Sequence, residues 1–209
     1  MIFSNIEELL RGTNTHGILV PRVTRFERQE IATWEAELGV ELHPSIRHLL
    51  AKFDFFDVEF GTAWILPKNE VTLLKDDVES GVVLIEVGDV VGYYKLVIDN
   101  ETGRVFAQNA DLPEYFELIA DSIEKAILRL ATIATERLEQ PAEVSIHEQH
   151  AQYRKRLDFL VGHGFPTAKY YQYADGHLVP ASETPTLVLN PGQKKRVPSF
   201  WQLFYAGAI

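Results

Sequence analysis

Apolar residues recur at three- and four-residue intervals over the first fifty positions and at closer spacing after them, so the chain reads as helices followed by strands. Ser4 and Glu7 stand in capping-box spacing at the head of "IEELLRG", and Gly12 marks a stop, which predicts a short first helix. Thr24 and Glu27 repeat the signal. In "RFERQEIATWEAELG" the side chains of Phe26, Ile31, Trp34 and Leu38 fall near one helical face, and Gly39 suits a left-handed C-cap. "HPSIRHLLAKF" predicts a third helix, with Pro44 in its first turn and Ile46, Leu49 and Leu50 at helical spacing.

The period then changes. "DVEFGTAWILP", with Val58, Phe60 and Trp64 apolar and Pro67 at its end, predicts one strand, and "GVVLIEVG" a second. "YYKLVIDN" and "RVFAQ" predict a third and fourth, joined through Asp99 to Gly103; strands in immediate succession pair antiparallel. The joining "DNETG" has the residues of a hairpin loop, because Asp and Asn bond nearby amides and Gly103 supplies positive φ. A calcium loop is the competing reading. Its ligand set is incomplete: Asp99 and Glu101 occupy positions 1 and 3, but Gly103 and Ala110 fall where positions 5 and 12 need oxygen donors.

A long helix opens near Asp121, with Glu124 in capping-box register and Ile123, Ile127, Leu130, Ile133 or Ala134, and Leu138 on its apolar face. Pro141 marks a boundary. The chain therefore divides into a domain over residues 1–140 and an extension over 141–209. The extension starts with a helix from Ser145 and Glu148, continues with a hairpin at Asp175-Gly176 and a second at Pro191-Gly192. The expected fold class is α+β: a twisted, mainly antiparallel sheet of four to six strands packed by helices, with a C-terminal helix and β-hairpin extension.

Composition narrows the function. The chain has 209 residues and no cysteine, which removes disulfides, thiolate metal sites and a cysteine nucleophile, and favours a reducing compartment. "MIFSNIEELLRG" has no signal-peptide pattern and no apolar run is long enough to span a bilayer, so the expected location is the cytoplasm, with no membrane partner. Charge is uneven: residues 1–140 hold 25 Asp and Glu against 13 Lys and Arg, and residues 141–209 hold 5 against 7. An acidic first part repels phosphates, so direct nucleic-acid binding is not expected, whereas a basic protein partner is attracted. Solubility is the simpler reason for such acidity.

Catalytic patterns are sparse. "GDVVG" lacks the following helix and lysine of a phosphate loop, and neither G-x-S-x-G nor H-E-x-x-H occurs. His147 and His150 lie three apart on the expected helix, a spacing able to ligate zinc, with His163 and His177 downstream, but no fixed spacing completes a site, and no metal or cofactor is expected. Trp34, Trp64 and Trp201 read as core or interface anchors. The basic triplets Arg154-Lys155-Arg156 and Lys194-Lys195-Arg196 read as solvated faces or contacts with the acidic part. Carboxylates cluster at Asp76, Asp77 and Glu79, at Glu86 and Asp89, and at Asp111, Glu114 and Glu117. A glycosidase pair would need a cleft and a set separation. Loop solvation explains such clusters, and a partner-binding rim at strand ends has the same composition.

Several stretches together resemble the SUKH superfamily of bacterial toxin-immunity proteins, which also contains fungal cell-wall synthesis regulators. "EIATWEAELGVELHPSIRHLLAKF" looks like the family's N-terminal helix and helix entry, with Leu42-His43-Pro44 one residue longer than the usual leucine-proline step. "LIEVGDVVGYYKLVIDNETGRVF" looks like its central strand pair, with Gly88, Asp99, Gly103 and Val105 at the motif positions. "LIADSIEKAILRLA" is similar to its closing helix, with Ile123 and Ile127 where aromatics are usual. The likeness covers about residues 24–135. It implies a non-catalytic cytoplasmic antidote that binds a cognate toxin domain, such as a nuclease or deaminase. The partner-binding residues are then expected to be Asp76, Asp77, Glu79, Glu86, Asp89, Asp111, Glu114 and Glu117. The alternative is a regulatory or scaffold interaction domain that neutralises no toxin.

Overall fold

The computed structural model describes residues 5–13, 19–22, 28–51, 55–58, 63–65, 72–77, 82–90, 94–138, 169–174, 177–190, 193–196 and 200. Helix α1 spans Ile6–Thr13 and α2 Arg28–Leu38. The cap of α1 is Asn5, whose Oδ1 accepts from Glu8 N at 2.8 Å, and the helix continues through Gly12 rather than stopping there. At the end of α2, Gly39 takes φ +70° and Val40 N donates to Glu35 O, which satisfies a last-turn carbonyl. Helix α3, Pro44–Leu50, carries its proline in the first turn and buries Ile46, Leu49 and Leu50.

Twelve strands follow or interleave with these helices among the described residues: β1 Leu19–Arg22, β2 Phe55–Val58, β3 Ala63–Ile65, β4 Thr72–Asp77, β5 Val82–Val90, β6 Tyr94–Asp99, β7 Val105–Asn109, β8 Tyr115–Ala120, β9 Tyr170–Ala174, β10 His177–Pro180, β11 Thr186–Asn190 and β12 Gln193–Arg196. Helix α4 runs over Ile123–Leu138, between β8 and β9. Ten strands form one sheet in the order β1-β2-β3-β5-β6-β7-β8-β9-β10, with β4 also on β5, and β11 pairs with β12 separately. Every described pair is antiparallel. The fold is therefore α+β, with a wider sheet than the four to six strands expected. "DVEFGTAWILP" supplies two strands instead of one, and β1, β4 and β8 arise where none was foreseen. The β9–β10 hairpin adds directly to β8 through Tyr115↔Gln172, Phe116↔Tyr171 and Glu117↔Tyr170. The expected helix at 145 onward, with His147 and His150, lies outside the described residues.

The central strands are buried on both sides. Ile85, Val87, Val90, Leu96, Ile98, Val105, Ala107 and Ile119 form a core with Ile46 and Leu50 of α3 and with Ile123, Ala126, Ile127, Leu130 and Ala131 of α4. Leu84, Val97, Phe106 and Phe116 form a second cluster on the opposite face, joined by Leu118, Tyr171, Tyr173 and Leu178. A register shift between Glu86 and Gly88 places Val87 as an extra residue in β5. Strict alternation would put Asp89 on the same face as Ile85; the bulge reverses the parity, so Val90 enters the helix-side core and Asp89 stands opposite Lys95. Among the described residues no helix is long and apolar enough to cross a membrane.

Candidate functional site

The eight carboxylates named from sequence separate once the register is known. Asp76 and Asp77 pair with Val83 and Val82, at the end of β5 where the strand begins. Asp89 pairs with Lys95 at the other end, where β6 begins opposite Asn109 at the end of β7. The β7–β8 connection, which carries Asp111 and Glu114, emerges at that same end. One sheet end thus brings together Asp89, Asp111 and Glu114, with Glu86 inward along β5, and the opposite end holds Asp76 and Asp77. Glu79 lies outside the described residues.

Four hydrogen bonds brace the connection that presents Asp111 and Glu114. Asn109 Oδ1 accepts from Asp111 N at 2.8 Å, Leu112 N donates to Asn109 O at 3.1 Å, and Tyr115 N donates to Leu112 O at 3.0 Å. Gln108 Nε2 donates to Pro113 O at 2.6 Å, and Leu112 is buried beneath. Both carboxylates are exposed on this frame. Glu86 is half-buried and its Oε2 lies 2.8 Å from Lys95 Nζ, so part of its charge is already matched.

Glu117 stands apart from the rim. It is only 4% exposed and points to the helix side of β8, between Ala107 of β7 and Tyr170 of β9 in register. The backbone N–H of Phe200 donates to its Oε2 at 2.6 Å, while Oε1 has no hydrogen-bond partner among the described residues. Burial pushes the carboxyl up to about 8, against the opposing pull of the Phe200 N–H. The side chain faces a small semi-open cavity of about 20 Å3, lined also by Tyr94, Asn109, Leu112, Tyr115, Tyr170 and Pro185. Tyr94 sits edge-on to Phe200 at 5.3 Å between ring centres. Its hydroxyl is raised above its ordinary range by burial, with the negative charges of Glu117 and Asp111 adding to the effect and a hydrogen bond with Asn109 opposing it.

The tyrosine ring around Glu117 was missed from sequence. Its signal was present in "GYYK", "PEYFELIA" and "KYYQY", where tyrosines fall at strand starts, and in the phase of β8, which sets Tyr115 and Glu117 on one face and Phe116 and Leu118 on the other.

The "DNETG" loop is a structural turn. Asp99 Oδ1 accepts from Glu101 N at 3.1 Å, Asp99 Oδ2 accepts from Thr102 Oγ1 at 2.6 Å, and Gly103 takes φ +71°. Among the described residues no group of three or more His, Asp or Glu side chains is placed to hold a metal ion.

Compared with protein-family models, with curated proteins and with solved structures, the chain gives no match.

Proposed function

We propose that this chain is a non-catalytic immunity protein that binds and neutralises a cognate toxin domain through an acidic surface. The reading rests on the SUKH-like order of the N-terminal helices, the central hairpin and the closing helix. The observation that carries it is the rim at one sheet end, where Asp111 and Glu114 are exposed on a connection fixed by Asn109, Gln108 and buried Leu112. A braced pair of carboxylates at the same sheet end as Asp89 loses little entropy on docking, and the net charge of −10 steers a basic domain toward it. A toxin that acts on nucleic acid carries such a basic cleft, and blocking it requires no catalytic group in the inhibitor. Asp76 and Asp77, at the other sheet end, are secondary acidic positions in this account.

The test is calorimetric titration of the purified chain with the toxin domain encoded beside its gene, at low and high salt. Near-equal stoichiometry with affinity that falls as salt rises supports the reading; no heat of binding at either salt contradicts it.

A further inference from the structure

We propose that the cavity at Glu117 is a binding socket for a single primary ammonium group. A carboxylate buried on β8 has one oxygen fixed by Phe200 N–H and the other oxygen without a partner among the described residues, and it faces a cavity that opens outward. A buried carboxylate oxygen without a hydrogen bond is costly, so the ionised form of Glu117 calls for a donor at Oε1. The cavity's size selects which one. About 20 Å3 admits one water-sized group, since a water needs roughly 10–15 Å3 by the same kind of measure. An –NH3+ head is of that size, and a planar guanidinium is not.

The walls suit a cation on a methylene stem. Tyr94, Tyr115 and Tyr170 supply aromatic surface from three strands, β6, β8 and β9, and Leu112 and Pro185 add apolar lining. Charge favours entry, because exposed Asp111 adjoins the lining residue Leu112 in sequence and its negative charge is felt at Tyr94. Binding is linked to protons: at neutral pH the Glu117 carboxyl holds its proton, so seating R–NH3+ releases that proton to solvent and leaves a carboxylate–ammonium pair. Among the described residues, the other titratable side chains lining the site are Tyr94, Tyr115 and Tyr170. The site stands independently of the toxin reading, since small amines probe it without any partner protein.

The experiment follows the Glu117 side-chain carboxyl carbon by NMR in the intact chain through a pH titration. Matched ionic strengths of sodium chloride, tetramethylammonium chloride and methylammonium chloride are compared. The account predicts that methylammonium lowers the Glu117 midpoint by about one pH unit, a tenfold change in proton affinity, and that the other two salts do not. It also predicts methylammonium-dependent shifts of the Tyr94, Tyr115 and Tyr170 ring signals that vanish in Glu117→Gln. Equal midpoints in all three salts overturn the proposal and leave a site for bound water only. A lysine-containing peptide and its Nε-acetylated form then separate the sources. Tighter binding of the free-lysine peptide than of methylammonium assigns the socket to a partner's lysine, and the reverse order assigns it to free amines.

Discussion

Gly103 lies so close to the imidazole of His43 that a Cβ built on it would stand 2.5 Å from the ring's Cε1. The contact joins the β6–β7 hairpin to the N-terminus of α3, where His43 is the cap: its ring accepts from Ser45 N at 3.2 Å. Replacement of Gly103 by alanine therefore has two costs, a left-handed backbone and a displaced cap. Gly103→Ala is expected to lower stability by about 2–4 kcal/mol, against about 1 kcal/mol for Gly39→Ala, which also has positive φ but meets nothing within 4 Å. Chemical denaturation of the two variants side by side checks the difference, and equal losses would remove the His43 contact from the account.

Asn100 completes the same junction. Its Oδ1 accepts from His43 N at 2.7 Å and its Nδ2 donates to Glu41 O at 2.8 Å, tying the hairpin to the segment between α2 and α3. Asn100→Ala is expected to cost about 1–3 kcal/mol, as both backbone groups lose a partner. Hydrogen exchange at the His43 amide should accelerate in that variant by more than the global loss of stability accounts for.

Much of this junction was legible in the sequence, because turn and cap chemistry is local. Asp99, Gly103, Gly39 and Pro44 announce their roles from side-chain type alone, and Ile123, Ile127 and Leu130 announce the inner face of α4 by period. The strands were harder. "YFELIA" runs without a break into the α4 signal, and an irregular register near Ile119 turns both Ile119 and Ala120 to the helix-side core, so its alternation is broken. The bulge at Val87 does the same in β5. The acidic clusters follow closeness in sequence, whereas β5 is long enough that Asp76 and Asp77 of β4 pair with its start at one end of the sheet and Asp89 stands at its far end. Nothing in a count of carboxylates distinguishes Glu117, whose inward phase only the sheet register defines.

Stability should depend on Glu117 with a definite sign. Burial raises its folded-state pKa to about 8 from an ordinary value of 4.5, so the folded chain binds a proton that the unfolded chain releases. The contribution is complete below about pH 4.5 and is lost as pH rises through about 8. Denaturation midpoints measured from pH 5 to 9 should fall by an amount worth on the order of a few kcal/mol in the wild type. Glu117→Gln, which cannot ionise, should flatten that decline. A variant with the same slope as the wild type would locate the titration elsewhere.

The two acidic ends of the sheet should behave differently toward a partner. Asp111→Ala with Glu114→Ala is expected to slow association with a basic toxin domain by about tenfold at low salt, with the difference shrinking as salt rises. Asp76→Ala with Asp77→Ala should change the rate by less than about threefold, through net charge alone. Stopped-flow association rates for the two double variants measure this directly, and an inverted order would move the docking face to the opposite end.

Protection of living cells reaches the central claim most directly. A susceptible bacterial host expressing the toxin domain encoded next to this chain's gene is scored for survival with the wild-type chain, with Asp111→Lys plus Glu114→Lys, and without either. The account predicts survival with the wild type and loss of protection with the charge-reversed rim, both chains being equally abundant and folded. Cell death with the wild-type chain present at the same level would contradict it.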